Sequence, residues 1–255
     1  MVGDSLGDRM KAYEAEQRSM LSPHSISVLR VDGRAFHSWT RGLPRPFDMH
    51  LAETLDATAR ALCSEIQGAV LAHSQSDEIS VIFADLNPES QPWFGGVIQK
   101  QVSIAAALAS VTFNAQYPRG MASPALFDAR VFTVPSAVEA ANYLIWRQRD
   151  CMRNSVSMAA QAAFSHKKLQ GKGTRQMRAM LDEAGKDWGR HPQRFRMGGV
   201  TMKQAGEQEV TYVDKRDQQE KTTTAMRSWW ETTAALEFSV QGLLDVLPDR
   251  EAITA

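Results

Sequence analysis

Ile26-Ser27-Val28-Leu29-Arg30-Val31 runs directly into Asp32-Gly33. The first six residues are rich in β-branched side chains and read as a strand, and the Asp-Gly pair marks the turn that must follow. Asp32 is thereby placed at a strand's C-terminal end. Outward from there, Gly42 to Pro46 punctuate the chain, and Asp48 can cap a helix from about Met49 to Ile66 with Leu51, Leu55, Ala59 and Leu62 on one face. Next come Ala69-Val70-Leu71-Ala72, the polar Ser74-Gln75-Ser76-Asp77-Glu78, and Ile79-Ser80-Val81-Ile82-Phe83, the pattern of a β-hairpin with a polar centre. A second helix is predicted over Gly96 to Gln116 and a strand over Phe127 to Val134, which Pro135 ends. Ser136 and Glu139 have capping-box spacing and open a third helix through Trp146.

Strand, helix, hairpin, helix, strand, helix is the order of a split β-α-β arrangement. The predicted class is α+β: a palm-like domain with a mainly antiparallel sheet, helices covering one face of it. Residues 1–166 are assigned to this palm-like catalytic domain. Residues 167–255 are read as a basic helical and strand extension with a C-terminal tail, packed on the same domain. Within the extension, Thr174 is expected to cap a short helix that displays Met177, Met180 and Leu181 on one side. Beyond Asp214, Thr222-Thr223-Thr224, Trp229-Trp230 and Leu243-Leu244 show no periodicity that fixes an element.

At 255 residues and 43% hydrophobic, the chain can bury a sizeable core. No apolar run approaches eighteen residues, and Met1 to Arg9 hold two aspartates where a signal peptide needs a basic and then an apolar stretch. A cytoplasmic protein without a membrane partner is expected. Cys63 and Cys151, the only cysteines, lie in helical patterns without metal-ligand spacing and read as buried small apolar residues. The charges balance, 29 basic against 29 acidic, which argues against a generic polyanion binder. The balance is uneven along the chain, however. Arg147 to Arg196 holds twelve Lys/Arg and four Asp/Glu, a net of +8, so the remainder carries −8. One face can therefore hold a phosphate backbone while another gathers carboxylates; a solvated helical surface would show the same numbers.

The carboxylates matter because magnesium usually takes one or two of them, with waters and substrate phosphates completing its shell. Asp32 at a strand end and Asp77 in the neighbouring hairpin can converge on one edge of the sheet. Alone, an aspartate before a glycine is commonly a turn residue. Its neighbours add weight.

Asp32-Gly33-Arg34-Ala35-Phe36-His37 and Ser76-Asp77-Glu78 resemble the tRNA-histidine guanylyltransferase family and its bacterial and archaeal relatives, the 3′-5′ RNA polymerases. The likeness continues in Phe127-Asp128-Ala129-Arg130-Val131, in Tyr143-Leu144-Ile145-Trp146-Arg147-Gln148-Arg149-Asp150-Cys151, and in Phe164-Ser165-His166-Lys167-Lys168-Leu169-Gln170-Gly171-Lys172, and spans about Asp8 to Gly199. The resemblance implies a palm-like fold, a homotetramer, and magnesium-dependent addition of nucleotides to the 5′ end of tRNA from ATP, GTP or other nucleoside triphosphates. By the same resemblance Asp32, the Gly33 carbonyl and Asp77 would hold two magnesium ions, with Glu78 supporting the catalytic site. Arg34, Ala35, Phe36 and His37 would wrap a triphosphate, partly through backbone N–H groups. Arg45 stands where the family commonly has a lysine on the triphosphate; the charge is kept and the donor geometry changes. Ser76 can exchange a hydrogen bond with phosphate or base, or simply turn the hairpin. His166, Lys167, Lys168 and Lys172 would contact RNA, while His24, His50, His73 and His191 have no constellation around them and read as surface or packing residues. Arg130 and Arg147 can each be a buried partner for a carboxylate.

The family resemblance implies that ATP adenylylates a 5′-monophosphorylated RNA, after which the 3′-hydroxyl of a nucleoside triphosphate attacks and expels AMP; a 5′-triphosphate end skips the first step and expels pyrophosphate. Eukaryotic members carry His-Ile-Asn-Asn after the Trp-Arg-Gln-x-Asp-Cys stretch, where this chain has Met152-Arg153-Asn154-Ser155. That departure favours template-dependent 5′-end repair over a strict tRNA-histidine guanylyltransferase role. A palm-fold nucleotide cyclase or signalling domain, and an RNA-binding protein without catalysis, are the readings of other classes; the basic segment counts against the first, and the intact Asp32, Asp77 and Glu78 against the second.

Overall fold

The structure is a computed structural model that describes residues 5–87, 89–119, 122–216 and 218–248. In chain order its elements are α1 (Leu6–Glu16), β1 (Ile26–Gly33), α2 (Phe36–Trp39), α3 (Met49–Glu65), β2 (Ala69–Gln75), β3 (Glu78–Ala84), α4 (Ile98–Gln116), β4 (Phe127–Val134), α5 (Ala137–Ala163), α6 (His166–Leu169), α7 (Thr174–Glu183), α8 (Gln193–Met197), β5 (Gly199–Val213), β6 (Glu220–Ala234) and α9 (Val240–Leu244). Among the described residues the strands form one open antiparallel sheet in the order β4-β1-β3-β2-β5-β6. The α+β, mainly antiparallel class is the one observed.

Helices cover both faces, not the single face expected. The reason lies in β1 and β3, which are apolar on alternate residues of either parity. Leu29, Val31, Ile79 and Val81 pack with Leu55, Leu62 and Phe113 of α3 and α4. Ile26, Val28 and Ile82 pack with Ala140, Ala141 and Leu144 of α5 and with Leu243 of α9. Neither surface could be left to water without exposing large aliphatic side chains, each worth about 1.5–3 kcal/mol when buried.

Two helix starts follow their sequence signals. The Asp48 carboxylate accepts from the Leu51 N–H at 3.1 Å and opens α3, and Ser136 accepts from the Glu139 N–H at 3.3 Å and opens α5. Others differ. α4 begins at Ile98 after a tight turn over Trp93–Gly96, and α7 is capped by Gly173, whose N–H donates to the Gln176 side chain at 3.0 Å, leaving Thr174 as its first helical residue. α5 continues for 27 residues to Ala163, well past Trp146. β5 and β6 are two strands of fifteen residues each in the stretch that showed no periodicity, and β5 joins the palm sheet by pairing Gly199 to Met202 with Ser74 to Leu71. Both cysteines are buried on helices, and burial pushes each thiol up to about 12.

Candidate active site

β1 and β3 end side by side, and their pairing puts Asp32 opposite Glu78, while on its other side Asp32 faces Asp128 of β4. The hairpin between β2 and β3 is tighter than its polar sequence suggests. Gln75 pairs with Glu78, leaving only Ser76 and Asp77 to turn, with Ser76 at a φ of +50°. The Asp77 carbonyl then accepts from the Gly33 N–H at 3.0 Å, which ties the hairpin tip to the end of β1. Asp32, Gly33, Asp77 and Glu78 thus converge at one corner of the sheet, as expected.

Their electrostatics are not alike. Burial, then the nearby Asp32 charge, pushes the Asp77 carboxyl up to about 6. Asp32 accepts from Arg30 Nη2 at 2.5 Å. Burial works against the Arg30 charge, but the Asp32 hydrogen bond and the Glu78 and Asp32 carboxylates outweigh it and raise its pKa. Glu78 is buried and held at both oxygens: Arg147 Nε donates to Oε1 at 2.6 Å and Nη2 to Oε2 at 2.7 Å. Arg147 also reaches Asp150 Oδ2 at 2.9 Å, and Ser80 Oγ links Glu78, at 3.2 Å, to the Tyr143 hydroxyl, at 3.1 Å. Arg147 is therefore the buried partner of a carboxylate, whereas Arg130 is exposed beside Asp128 at 3.4 Å.

Among the described residues no three His, Cys, Asp or Glu side chains group as a metal cluster. The donor set still fits magnesium. Asp77 is a partly desolvated carboxylate beside Asp32 that meets no guanidinium among the described residues, Asp32 has one oxygen on Arg30 and the other open, and two carboxylates are what magnesium takes when phosphates and water fill the remaining positions.

Beside this corner opens a cleft of about 530 Å³, whose lining includes Phe36, His37, Arg45, Ser76 and Asp77. That volume is in the range of small-molecule sites. Gly33 makes room for the Phe36 ring that lines the cleft: a Cβ at Gly33 would lie 2.2 Å from that ring, which is buried against Trp39, Phe113 and Phe127. Ala35, at a φ of +54°, turns the chain into α2. The Arg34 N–H is spent on the Leu126 carbonyl at 2.7 Å, while those of Ala35, Phe36 and His37 meet no backbone carbonyl among the described residues. The nest expected of Arg34 to His37 is thus offered by the last three. Arg194 also lines the cleft, but its Nε and Nη2 are held by Asp56 at 2.8 and 2.6 Å. Arg45 has no such carboxylate among the described residues.

The far wall is α5, with Cys151, Asn154, Met158 and Gln161. Sequence reading missed it as a wall, although Arg147, Cys151, Asn154, Met158 and Gln161 recur at alternating helical spacings of four and three. His166, Lys167, Lys168 and Lys172 are all exposed, and none lines this cleft.

Comparison with known proteins agrees with the fold. Residues 7–135 match the family model described as tRNAHis guanylyltransferase. A solved bacterial tRNA(His) guanylyltransferase-like protein in complex with ATP is 39% identical, with 78% of this chain and 88% of that one covered and a TM-score of 0.74. A second, in complex with GTP, is 33% identical over 91% of this chain and 93% of the other, with a TM-score of 0.73. The tRNA(His) guanylyltransferase of Schizosaccharomyces pombe is 26% identical over 224 residues, 81% of this chain and 84% of that protein.

Proposed function

The chain belongs to the tRNA(His) guanylyltransferase family of nucleotidyltransferases, and from that premise we propose that it extends the 5′ end of tRNA in the 3′-5′ direction, choosing each nucleotide by pairing with the opposite strand. The observation that carries this is the convergence of Asp32, Gly33 and Asp77 at one corner of the sheet, where Asp77 lines a cleft of small-molecule size in which Arg45 has no carboxylate partner among the described residues. Residues 1–166 form the catalytic palm and residues 167–255 the basic extension, in a cytoplasmic homotetramer.

Two magnesium ions held by Asp32, the Gly33 carbonyl and Asp77 would supply Lewis-acid stabilisation of phosphate oxygens and ease ionisation of the attacking hydroxyl. The side chains do the rest by placement. Arg45 takes the triphosphate charge, the N–H groups of Ala35, Phe36 and His37 and the imidazole of His37 donate to phosphate oxygens, and Ser76 donates its hydroxyl from the hairpin tip. Glu78 keeps the corner in register through Arg147 and Arg30. A 5′-monophosphate oxygen of the RNA attacks the α-phosphorus of ATP and expels pyrophosphate. The 3′-hydroxyl of the incoming nucleoside triphosphate then attacks the RNA's 5′ phosphorus and expels AMP. No protein general base is needed where charge stabilisation and positioning carry the displacement. His166, Lys167, Lys168 and Lys172 meet RNA phosphates.

Met152 to Ser155 support templated choice over the strict histidine role, because only Asn154 of that window retains an amide side chain at the cleft. The test uses 5′-truncated histidine and non-histidine tRNAs with the opposing base varied, each triphosphate supplied separately with magnesium. Addition that follows the opposing base on both tRNAs is expected. Addition of guanosine alone, to histidine tRNA alone and whatever base opposes it, would replace this reading with the strict guanylyltransferase role.

A further inference from the structure

Beyond the Arg45-Pro46 segment lies a second cleft, of about 400 Å³, lined by Lys186, Arg190, His191 and Asp187 as well as by Arg45. It is continuous with the nucleotide cleft, since Arg45, Pro46 and Ala162 line both. Its floor is made of small or aliphatic residues of α5 and α7, Ala159, Ala163 and Leu181. Arg45, Lys186 and Arg190 form no ion pair or side-chain hydrogen bond among the described residues. Against these three cations stands one carboxylate in the lining, Asp187, which accepts from the Gly189 N–H at 2.7 Å, so the lining keeps a net positive charge.

The segment carrying these cations is fastened at several points. Trp188 is buried, its indole N–H donates to Ser155 Oγ at 3.0 Å, and the guanidiniums of Arg178 and Arg196 lie over its ring at 4.8 and 5.2 Å. Arg196 Nε donates to the His191 carbonyl at 2.8 Å, and the His191 ring meets Phe47, which stacks on Phe195 at 4.7 Å. Ser155, Phe47 and Phe195 all line the nucleotide cleft, so the Trp188 bond to Ser155 and the His191 contact with Phe47 tie the cationic segment to that site. A pre-positioned set of unpaired cations is the arrangement that fixes a phosphate backbone in register.

We infer that this second cleft receives the phosphate backbone of the RNA strand being extended, next to its 5′ end. The inference rests on the proposed activity and adds the path of the strand: the reacting 5′ phosphorus must lie at the nucleotide cleft, and the chain behind it needs a cationic exit that shares a wall with that cleft. Apart from the His191 imidazole the lining has no aromatic ring, so it offers little for stacking a base and suits a backbone better than a second nucleotide.

The test measures binding of a 5′-truncated, 5′-monophosphorylated tRNA across a salt series, and of GTP alone, to the full chain and to Lys186→Ala/Arg190→Ala. A Lys186→Arg/Arg190→Lys variant reports on charge without loss of packing, and Arg175→Ala, on the exposed side of α7, controls for bulk charge. The alanine variant is expected to bind tRNA at least about tenfold more weakly, with a logarithmic salt slope shallower by about one to two. GTP binding should stay within about twofold, the charge-preserving variant should recover most of the slope, and Arg175→Ala should resemble the parent. An unchanged affinity and slope in the alanine variant overturns the inference while the proposed activity stands. Equal loss of GTP binding, or an equal effect of Arg175→Ala, also overturns it, by assigning the cleft to a free nucleotide or the effect to general charge. A parent protein that binds no tRNA fails the proposed activity itself.

Discussion

Arg147 closes on Glu78 with two parallel hydrogen bonds, 2.6 and 2.7 Å long, across the seam between α5 and the sheet. Both side chains are nearly out of water, at 7% and 8% exposure. Truncating either one leaves the other buried with only its second partner, Asp150 for Arg147 and Arg30 for Glu78, a loss at the low end of the about 3–5 kcal/mol that breaking a buried pair costs. Arg147→Ala and Glu78→Ala should each lose stability on that scale in urea titrations, and the double variant should lose clearly less than the sum. A loss below about 1 kcal/mol from either single change would show that the pair is not needed to hold the corner together.

Asp77 should behave in the opposite way. Its carboxyl is pushed up to about 6 by burial and by Asp32, so without a cation it destabilises the fold at neutral pH. Asp77→Asn is expected to raise stability at pH 7.5 by about 1–2 kcal/mol while cutting nucleotide addition by at least about a hundredfold. Asp32→Ala should cut activity as deeply with the fold intact. Paired thermal melts and turnover assays check both, and near-normal turnover at ordinary magnesium in either variant would remove the carboxylates from the metal role.

Gly33→Ala tests the link between core and cleft. Its Cβ would meet the Phe36 ring at 2.2 Å, and Phe36 opens α2 next to the N–H groups proposed to meet the triphosphate. Overpacking of this kind costs about 1–3 kcal/mol. GTP affinity should fall together with stability, whereas Phe36→Leu, which frees space, should partly restore both in the double variant. Independent effects in titration calorimetry would show that the ring does not support the loop.

His73 sets a pH dependence away from the carboxylates. Complete burial holds its imidazole down at about 4, against an ordinary value near 6.5, with only Nε2 bonded, to the Met197 carbonyl at 2.9 Å. The unfolded chain then binds the proton more readily than the folded one. Stability from this residue is whole above about 6.5 and is lost as pH falls toward 4, by about 3 kcal/mol at most. His73→Gln should lose less than the parent between pH 7.5 and pH 5 in urea titrations, whatever its stability at neutral pH; equal losses would exclude His73 as the source.

The fold was legible where side chains alternate or recur against a core. β1, the β2-β3 hairpin and α3 carry such patterns, and Asp32 and Asp77 could be placed from them because a strand end and a tight turn fix where a side chain can go. α5 was cut short at Trp146 because Arg147, Gln148 and Asp150 look like a polar exit from a helix. Arg147 and Gln148 in fact face inward, Arg147 to the Glu78 carboxylate and Gln148 to the Leu236 carbonyl and Phe238 N–H, and no local signal announces partners 69 to 90 residues away. β5 and β6 were illegible for a different reason: most of their residues are exposed on both faces, so neither alternation nor an apolar run marks them. The resemblance points to Arg45, but that the neighbouring Arg194 is held by Asp56 while Arg45 meets no carboxylate among the described residues shows only in the fold, since the Arg194 contact spans 138 residues.

Among the described residues only Gly199 to Met202 of β5 pair with β2, and from Lys203 to Val213 its sole strand partner is β6, which continues the ladder to Glu220. A lone two-stranded ribbon is marginally stable in water. Its amides should therefore exchange with deuterium in a gradient, fastest near the tip and slowest beside Thr201 and Thr232, whose hydroxyls lie 2.7 Å apart at the base. The arm would unzip and re-form many times within one unfolding event of the palm, so a protease could clip its end without releasing the sheet.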